Sequence, residues 1–410
     1  MFSQFVAFAG FLFLRFANDI PMFYIGSFLG GYTNGLNSAV MPTYVGEINQ
    51  PKIRRFTGSF IVLAFTIGFA FTKLIGIFVS WRVTVSIIMG LPCIGFLLFF
   101  ICPETPTWYM LKGRNEMATA TLITLRGDPE VANWEVSRIK SNLEKQKKID
   151  SHTSQSSYVK SQLKIITKGT FVRPCMVVSI LMVVFWQWTG GSILTFYTED
   201  ILKQFGVPIP TSWITTGVGC YIFICSFLGV FISSVIPRRK YYMGSGFLVS
   251  LGAAILGAAV HLTKYDFFVD LLNKNEEVKW IPVIGLLLFL LGYQAGYISV
   301  CFMLLGELLP SNARGIGGCI IIFFNNISFF LAVKSSNFCQ EILGLDGLFG
   351  LFSGMAFFSI IFAYFFVPET FGKSLEDMEE HYREICYSNQ YKKYSRKAEN
   401  INMAYIAGEE

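Results

Sequence analysis

The tripeptide Pro-Glu-Thr occurs twice in this chain, at residues 103–105 and again at residues 368–370. Each copy ends a long apolar run, and each is followed by a charged, amphipathic stretch. A phrase that recurs at matching places in two halves of a sequence indicates a duplicated architecture. The repeat therefore predicts two related bundles of helices.

The composition places these helices in a membrane. Hydrophobic residues make up 53% of the 410 residues and charged residues only 15%, whereas a soluble protein has about 25% charged residues. The net charge of +6 is modest and lies in loops and the tail, so nucleic acid is not an expected partner. The nine Cys and three His residues are scattered, and we expect no metal site and no cofactor.

The apolar runs predict an all-α polytopic membrane protein, because isolated strands cannot satisfy their backbone in lipid. We predict about ten spans by hydropathy, at residues 2–17, 22–44, 57–80, 82–102, 173–197, 212–236, 241–262, 281–305, 316–337 and 346–367. The predicted domains are a partial amino-terminal bundle of four spans, a cytoplasmic helical linker, a carboxyl-terminal bundle of six spans and a cytoplasmic tail, at 1–102, 103–172, 173–368 and 369–410.

Basic residues set the predicted orientation. They are concentrated in the loop after the second span, in the linker, at 238–240 and in the tail. Because loops rich in Lys and Arg stay in the cytoplasm, both termini are predicted to be cytoplasmic. We expect the plasma membrane as the location and the lipid bilayer as a partner.

Several segments together resemble the sugar porters of the major facilitator superfamily, and among these the insect facilitated trehalose transporters. The segments that carry the resemblance are Met41–Ile48, Pro103–Arg114, Leu125–Gly127, Phe196–Tyr197, Gly306–Pro310 with Arg314–Gly315, and Pro368–Glu379. The resemblance implies a major facilitator fold of two helical bundles. It also implies facilitative transport of trehalose or a hexose by alternating access, without enzymatic chemistry.

Charges at the predicted cytoplasmic helix ends are the candidate gate. Arg54 lies seven positions after Glu47, and Arg314 lies seven positions after Glu307. In the family, matching residues form a salt-bridge network that must separate for inward opening. The alternative is that they are ordinary interfacial charges that fix topology. The candidate gating residues are Glu47, Arg54, Glu104, Arg238, Arg239, Glu307, Arg314 and Glu369.

Polar and aromatic residues in the fifth, eighth and ninth spans are the candidate substrate site. Amide side chains both donate to and accept from sugar hydroxyls, and aromatic faces cover the C–H surface. Compared with the family, Trp186 and Ser192 replace amide residues, so the site has lost hydroxyl partners. Gln187 and Asn325 could instead join helices to each other. The candidate contacts are Trp186, Gln187, Thr189, Ser192, Tyr197, Phe302 and Asn325.

The front of the sequence departs most from the family. Aligned on these motifs, the first span corresponds to the family's third, so the first two of twelve spans are absent. We expect either a piece of a longer protein or a decayed relative. The alternative functions are a membrane sugar sensor that does not transport, and a carrier of a less polar solute. Glycines in two spans are expected to be helix-packing positions, at Gly30, Gly31, Gly35, Gly244, Gly252 and Gly257.

Overall fold

The structure, a computed structural model, describes residues 2–49, 54–150, 172–195, 198, 211–265, 280–308 and 314–370. Within these residues the regular secondary structure is entirely helical, which confirms the predicted all-α class. The described residues fall into two compact units. One contains residues up to 150 with 198 and 211–231, and the other contains 172–195 and the residues from 232 onward.

Eight helices lie before residue 151 in the part of the chain that the structure describes, all in the first unit. They are α1 (Phe2–Arg15), α2 (Ile20–Ile48), α3 (Arg54–Phe78), α4 (Trp81–Ile88), α5 (Gly90–Leu98), α6 (Pro106–Leu111), α7 (Asn115–Arg126) and α8 (Pro129–Asp150). The first Pro-Glu-Thr phrase starts α6, because the Thr105 hydroxyl accepts from the backbone N–H of Trp108 at 3.3 Å and Pro106 needs no such partner.

The later helices follow after residue 171 in the described part of the chain. They are α9 (Val172–Trp188), α10 (Thr211–Val235), α11 (Arg238–Leu262), α12 (Ile281–Leu291), α13 (Ser299–Leu308) and α14 (Arg314–Phe366), and a π-helical turn, Gly292–Ile298, joins α12 to α13. Helix α10 belongs to the first unit up to Phe231. In the second unit, α11 packs against α12, the π-helical turn and α14, so it forms the centre of that unit.

Helix length and composition support most of the predicted spans, although α2, which contains the predicted span 22–44, is not among the helices that meet this measure. Among the described residues, six helical stretches are long and apolar enough to cross a membrane, and two shorter apolar helices lie at Phe2–Arg15 and Val62–Phe78. The longest stretch, Ile316–Phe366, contains two predicted spans. Gly344 divides it with φ 75° and ψ 174°, a conformation that residues with a Cβ rarely adopt.

Close backbone packing explains one of the predicted glycine positions. A Cβ added to Gly252 of α11 would lie 2.5 Å from the backbone nitrogen of Phe289 and 2.6 Å from the carbonyl oxygen of Gly285. Both atoms belong to the backbone of α12, which cannot shift without moving the whole helix. Gly244, two turns earlier in α11, has open space around the same added atom.

Alanine at these two glycines is expected to change stability in opposite directions. Gly252→Ala should lower the free energy of unfolding by about 1–3 kcal/mol, because it overpacks the contact with α12. Gly244→Ala should raise it by about 0.5–1 kcal/mol, because alanine restricts the unfolded chain and favours the helix. Thermal unfolding of the purified variants in one detergent measures both. A Gly252→Ala protein as stable as the parent would contradict the observed packing.

Candidate substrate site and gate

A break in α9 creates the candidate substrate site. The helix ends at Trp188, and a second helical turn follows over residues 191–195. Gly190 lies between them with φ 79°, and an added Cβ would collide with the ring of Phe352. Glycine is therefore required here for both conformation and space. Gln187 and Ser192 therefore lie on either side of the point where the helix is interrupted.

Four side chains form a continuous polar chain across this break, which we call the polar chain: Asn325, Gln187, Ser192 and Tyr293. The Gln187 Nε2 atom donates to Asn325 Oδ1 at 2.8 Å. The Ser192 hydroxyl donates to Gln187 Oε1 at 3.5 Å and lies 3.1 Å from the Tyr293 hydroxyl. A serine hydroxyl has one hydrogen, so Tyr293 is the donor when Ser192 bonds to Gln187.

The polar chain joins three helical segments within the second unit. Gln187 comes from α9, Tyr293 from the π-helical turn and Asn325 from α14. Gln187 is 5% exposed and Tyr293 is 2% exposed, whereas Ser192 and Asn325 are half-buried. Since buried polar groups in membrane helices are costly and mark functional positions, the half-buried members are the points where a solute could reach the polar chain.

Aromatic side chains form one wall of the site. The rings of Trp186 and Tyr293 have centroids 6.5 Å apart, and Tyr293 stacks on Phe289 at 6.1 Å. The Tyr293 ring fits only because residue 191 is glycine, since an added Cβ there would collide with it. The hydroxyl of Thr189 donates to the carbonyl oxygen of Trp186 at 2.8 Å and so satisfies the helix end.

Two predicted contacts cannot be placed. Tyr197 and the side chain of Phe302 lie outside the described part of the chain. Two residues of the π-helical turn, Tyr293 and Gln294, were not among the contacts predicted from the sequence. Gln294 is buried, and its Oε1 atom has no hydrogen-bond partner among the described residues. The available signal was the run Gly-Tyr-Gln-Ala-Gly-Tyr at 292–297, which is polar for its position, and π-helical turns are frequent at functional sites.

The second Pro-Glu-Thr phrase lies against the start of α11. The Glu369 carboxylate accepts the backbone N–H groups of Arg238 at 2.9 Å and Arg239 at 3.2 Å. Such groups have no partner within the helix at a helix N-terminus, where the helix dipole also favours an anion. The Arg238 side chain is 1% exposed and donates to the carbonyl oxygen of Ser233. Glu369 therefore caps α11 in addition to lying next to two basic residues.

The remaining gate residues belong to less fully described regions. In the first unit, Glu47 is half-buried near the end of α2, and Glu104 is exposed. The Tyr44 hydroxyl donates to the carbonyl oxygen of Pro103 at 2.8 Å, which ties α2 to the first Pro-Glu-Thr phrase. The side chains of Arg54, Glu307 and Arg314 lie outside the described residues, although their backbones are helical.

Long apolar helices with buried amides at a helix break define the class of this molecule as a multi-pass membrane protein. The chain matches the sequence profile of the family described as "Sugar (and other) transporter" over residues 1–382, and it belongs to that family. It is similar to the major facilitator proton:xylose symporter XylE of E. coli bound to 6-bromo-6-deoxy-D-glucose, with a TM-score of 0.72 and 20% identity over 93% of this chain and 82% of that one. This likeness confirms the predicted major facilitator fold.

Curated relatives are facilitated trehalose transporters of insects. The chain is 28% identical to the protein Tret1 of Drosophila yakuba over 368 aligned residues. The alignment covers 90% of this chain and 41% of the relative. The chain is 27% identical over 380 residues to Tret1 of Culex quinquefasciatus, which covers 92% of this chain and 69% of the relative. The chain thus spans about two-fifths of the length of the first relatives it matches.

Proposed function

We propose that the protein carries a sugar, either trehalose or a hexose, across the membrane by facilitated alternating access. The observation that supports this most directly is the polar chain, which places two amides and two hydroxyls at a break in an apolar helix. Membership of a sugar transporter family and likeness to facilitated trehalose transporters support the same substrate class.

In this proposal the polar chain opens to receive the solute. Sugar hydroxyls replace the bonds that Gln187 makes with Asn325 and Ser192, since an amide can exchange one donor or acceptor partner for another at little net cost. The ring of Trp186 offers an apolar face to the sugar C–H groups. Thr189, Tyr197 and Phe302 remain proposed contacts. No covalent bond of the solute changes, so the residues only bind and release it.

The proposed gate lies on the cytoplasmic side, with both termini in the cytoplasm of a plasma-membrane protein. Contacts of Glu369 with the start of α11 hold the carboxyl-terminal part of this gate together. Its other members are Arg238, Arg239, Glu47, Arg54, Glu104, Glu307 and Arg314. The predicted division into two bundles, a linker at 103–172 and a tail at 369–410 is part of the same proposal.

Reconstitution of the native-length protein into liposomes tests this function. Uptake of labelled trehalose and of labelled glucose should saturate with concentration, and excess unlabelled sugar should abolish it. Liposomes without protein give the background. Sugar binding without saturable uptake would indicate the sensor function instead, and absence of both binding and uptake would contradict a sugar substrate.

A less polar solute is the second candidate. The hydrogen bonds that members of the polar chain make with one another favour it. Gln187, Ser192 and Tyr293 already use one another as partners, and the rings of Trp186, Tyr293 and Phe289 line the same region. A flat apolar group would need few new hydrogen bonds there. In the liposome assay, phenyl β-D-glucoside should then compete at least tenfold better than methyl β-D-glucoside, and equal competition would exclude this candidate.

A further inference from the structure

One segment that carries the family resemblance, Leu125–Gly127, takes no part in the proposed site or gate. Arg126 is the last residue of α7, and its side chain is only 5% exposed. A buried guanidinium is stable only where its charge and its N–H donors all have partners. The contacts of Arg126 therefore show what this segment holds together.

All three guanidinium nitrogens of Arg126 are used. Its Nε atom lies 3.1 and 2.9 Å from the two carboxylate oxygens of Glu135 in α8, and its Nη2 atom lies 2.9 Å from Glu135 Oε2. Its Nη1 atom donates to the carbonyl oxygen of Ile48 at 2.8 Å. Only arginine presents a planar fork of donors that can hold a carboxylate with one edge and a carbonyl with another.

The Ile48 carbonyl is the last one of α2, where carbonyl groups have no partner within the helix and the dipole favours a cation. The next residue, Asn49, donates its Nδ2 atom to the carbonyl oxygen of Val45 at 2.9 Å. The end of α2 is thus satisfied by Asn49 and by Arg126 together. Of these two, only Arg126 comes from another helix.

A second link lies one turn earlier on α2. The Tyr44 hydroxyl donates to the carbonyl oxygen of Pro103, at the start of the first Pro-Glu-Thr phrase. The candidate gating acid Glu47 lies between Tyr44 and Ile48 in the sequence. The helix turn that carries this acid is consequently attached at both ends to the segment that contains α6, α7 and α8.

We propose that Arg126 is a positioning residue of the transport cycle, which fixes the end of α2, and with it Glu47, to α7 and α8. This inference rests on the proposed transport function. Because one guanidinium bonds to α2 and α8 from the end of α7, these three helix ends move as one body when the gate opens. Arg126 acts on Glu47 through the backbone of α2, without contact with the solute.

The test compares Arg126→Lys, Arg126→Met and Glu135→Gln with the exposed control Arg138→Met. Arg138 lies on the same helix as Glu135 and its guanidinium covers the ring of Trp134 at 5.5 Å. Two quantities are measured on the native-length protein: hydrogen exchange of the backbone amides of residues 45–48, and the kinetics of trehalose and glucose uptake by liposomes.

Arg126→Met is expected to raise exchange at residues 45–48 at least tenfold and to lower the maximal uptake rate at least tenfold. The concentration for half-maximal uptake should change less than threefold, because the substrate site is untouched. Arg126→Lys should lie between Arg126→Met and the parent, since lysine can satisfy Glu135 or Ile48 but not both in one plane. Arg138→Met should change neither quantity more than twofold.

Two results would overturn the inference. One is a parent-like maximal rate in a variant whose exchange at residues 45–48 has increased. The other is a change in the concentration for half-maximal uptake as large as the change in the maximal uptake rate, which would place Arg126 in the substrate site. If Arg126→Met does not fold, Arg126→Lys and Glu135→Gln decide by the same criteria. Absence of saturable uptake by the parent is a different result, because it contradicts the proposed function itself.

Discussion

Replacing Glu369 with leucine is expected to destabilise the protein by about 3–5 kcal/mol and to abolish uptake. The Glu369 carboxylate accepts two backbone N–H groups at the start of α11, from Arg238 and Arg239. Hydrogen bonds to a charged group contribute about 1.5–3 kcal/mol each, and leucine replaces neither.

The first Pro-Glu-Thr phrase provides the matched control for this change. Glu104→Leu makes the same substitution at an exposed side chain and should alter the free energy of unfolding by less than about 1 kcal/mol. Thermal unfolding should be measured on both variants, and liposome uptake on Glu369→Leu. Equal destabilisation of the two would show that capping by Glu369 contributes nothing of its own. Glu369→Gln should be intermediate, because the amide keeps one acceptor.

The second large effect is expected at Gln187. Gln187→Leu keeps the volume of the side chain but removes both of its bonds in the polar chain, to Asn325 and from Ser192. If sugar hydroxyls replace these two bonds of Gln187, the variant loses two hydrogen bonds to the sugar. Each lost bond lowers the affinity for the sugar about tenfold, since 1.4 kcal/mol corresponds to a factor of ten. We therefore expect the ratio of maximal rate to half-saturation concentration for sugar uptake to fall at least about a hundredfold.

A half-buried hydroxyl pair elsewhere in the second unit controls for general damage. Ser250 of α11 and Ser353 of α14 lie with their hydroxyl oxygens 3.2 Å apart, away from the polar chain in sequence and in partners. Ser250→Ala also removes an interhelical bond, but it should leave uptake within twofold of the parent. A Gln187→Leu protein that folds and transports normally would assign the polar chain to helix joining alone.

The fold could be predicted from the sequence because its signal is distributed over long apolar runs. Predicted spans such as 173–197 and 241–262 coincide with helices to within a few residues, since hydropathy over about 20 residues averages out local exceptions. Local backbone geometry has no such redundancy. The π-helical turn at Gly292–Ile298 packs against α11, and no single residue encodes that packing.

The candidate site was predictable where residue chemistry was unusual for its place. Gln187 and Asn325 are amides in apolar runs, and the structure brings the Nε2 atom of Gln187 to 2.8 Å from the Oδ1 atom of Asn325. Tyr293 was missed because one more aromatic residue in an apolar span has no distinct meaning until its neighbours are known. Its partner Ser192 is 101 positions away in the chain, so the contact is a property of the fold.

Glycine positions illustrate the same limit. The expected close packing is confirmed at Gly252 and at Gly257, where an added Cβ would lie 3.2 Å from the Cβ of Phe349. The expectation is wrong for Gly244, and among the described residues nothing lies within 4 Å of an added Cβ at Gly30, Gly31 or Gly35. Glycine spacing alone does not say which face of a helix has a neighbour.

The π-helical turn has a consequence for how this sequence tolerates insertions and deletions. A π-helix closes its hydrogen bonds between residues i and i+5, so Gly292–Ile298 accommodates one residue more than an α-helical path would. Deleting one residue there can be absorbed by a return to α-helix, and α13 keeps its orientation. The same deletion inside α12 would rotate every later side chain by about 100°. Length variation in this span is therefore confined by geometry to the turn that carries Tyr293 and Gln294.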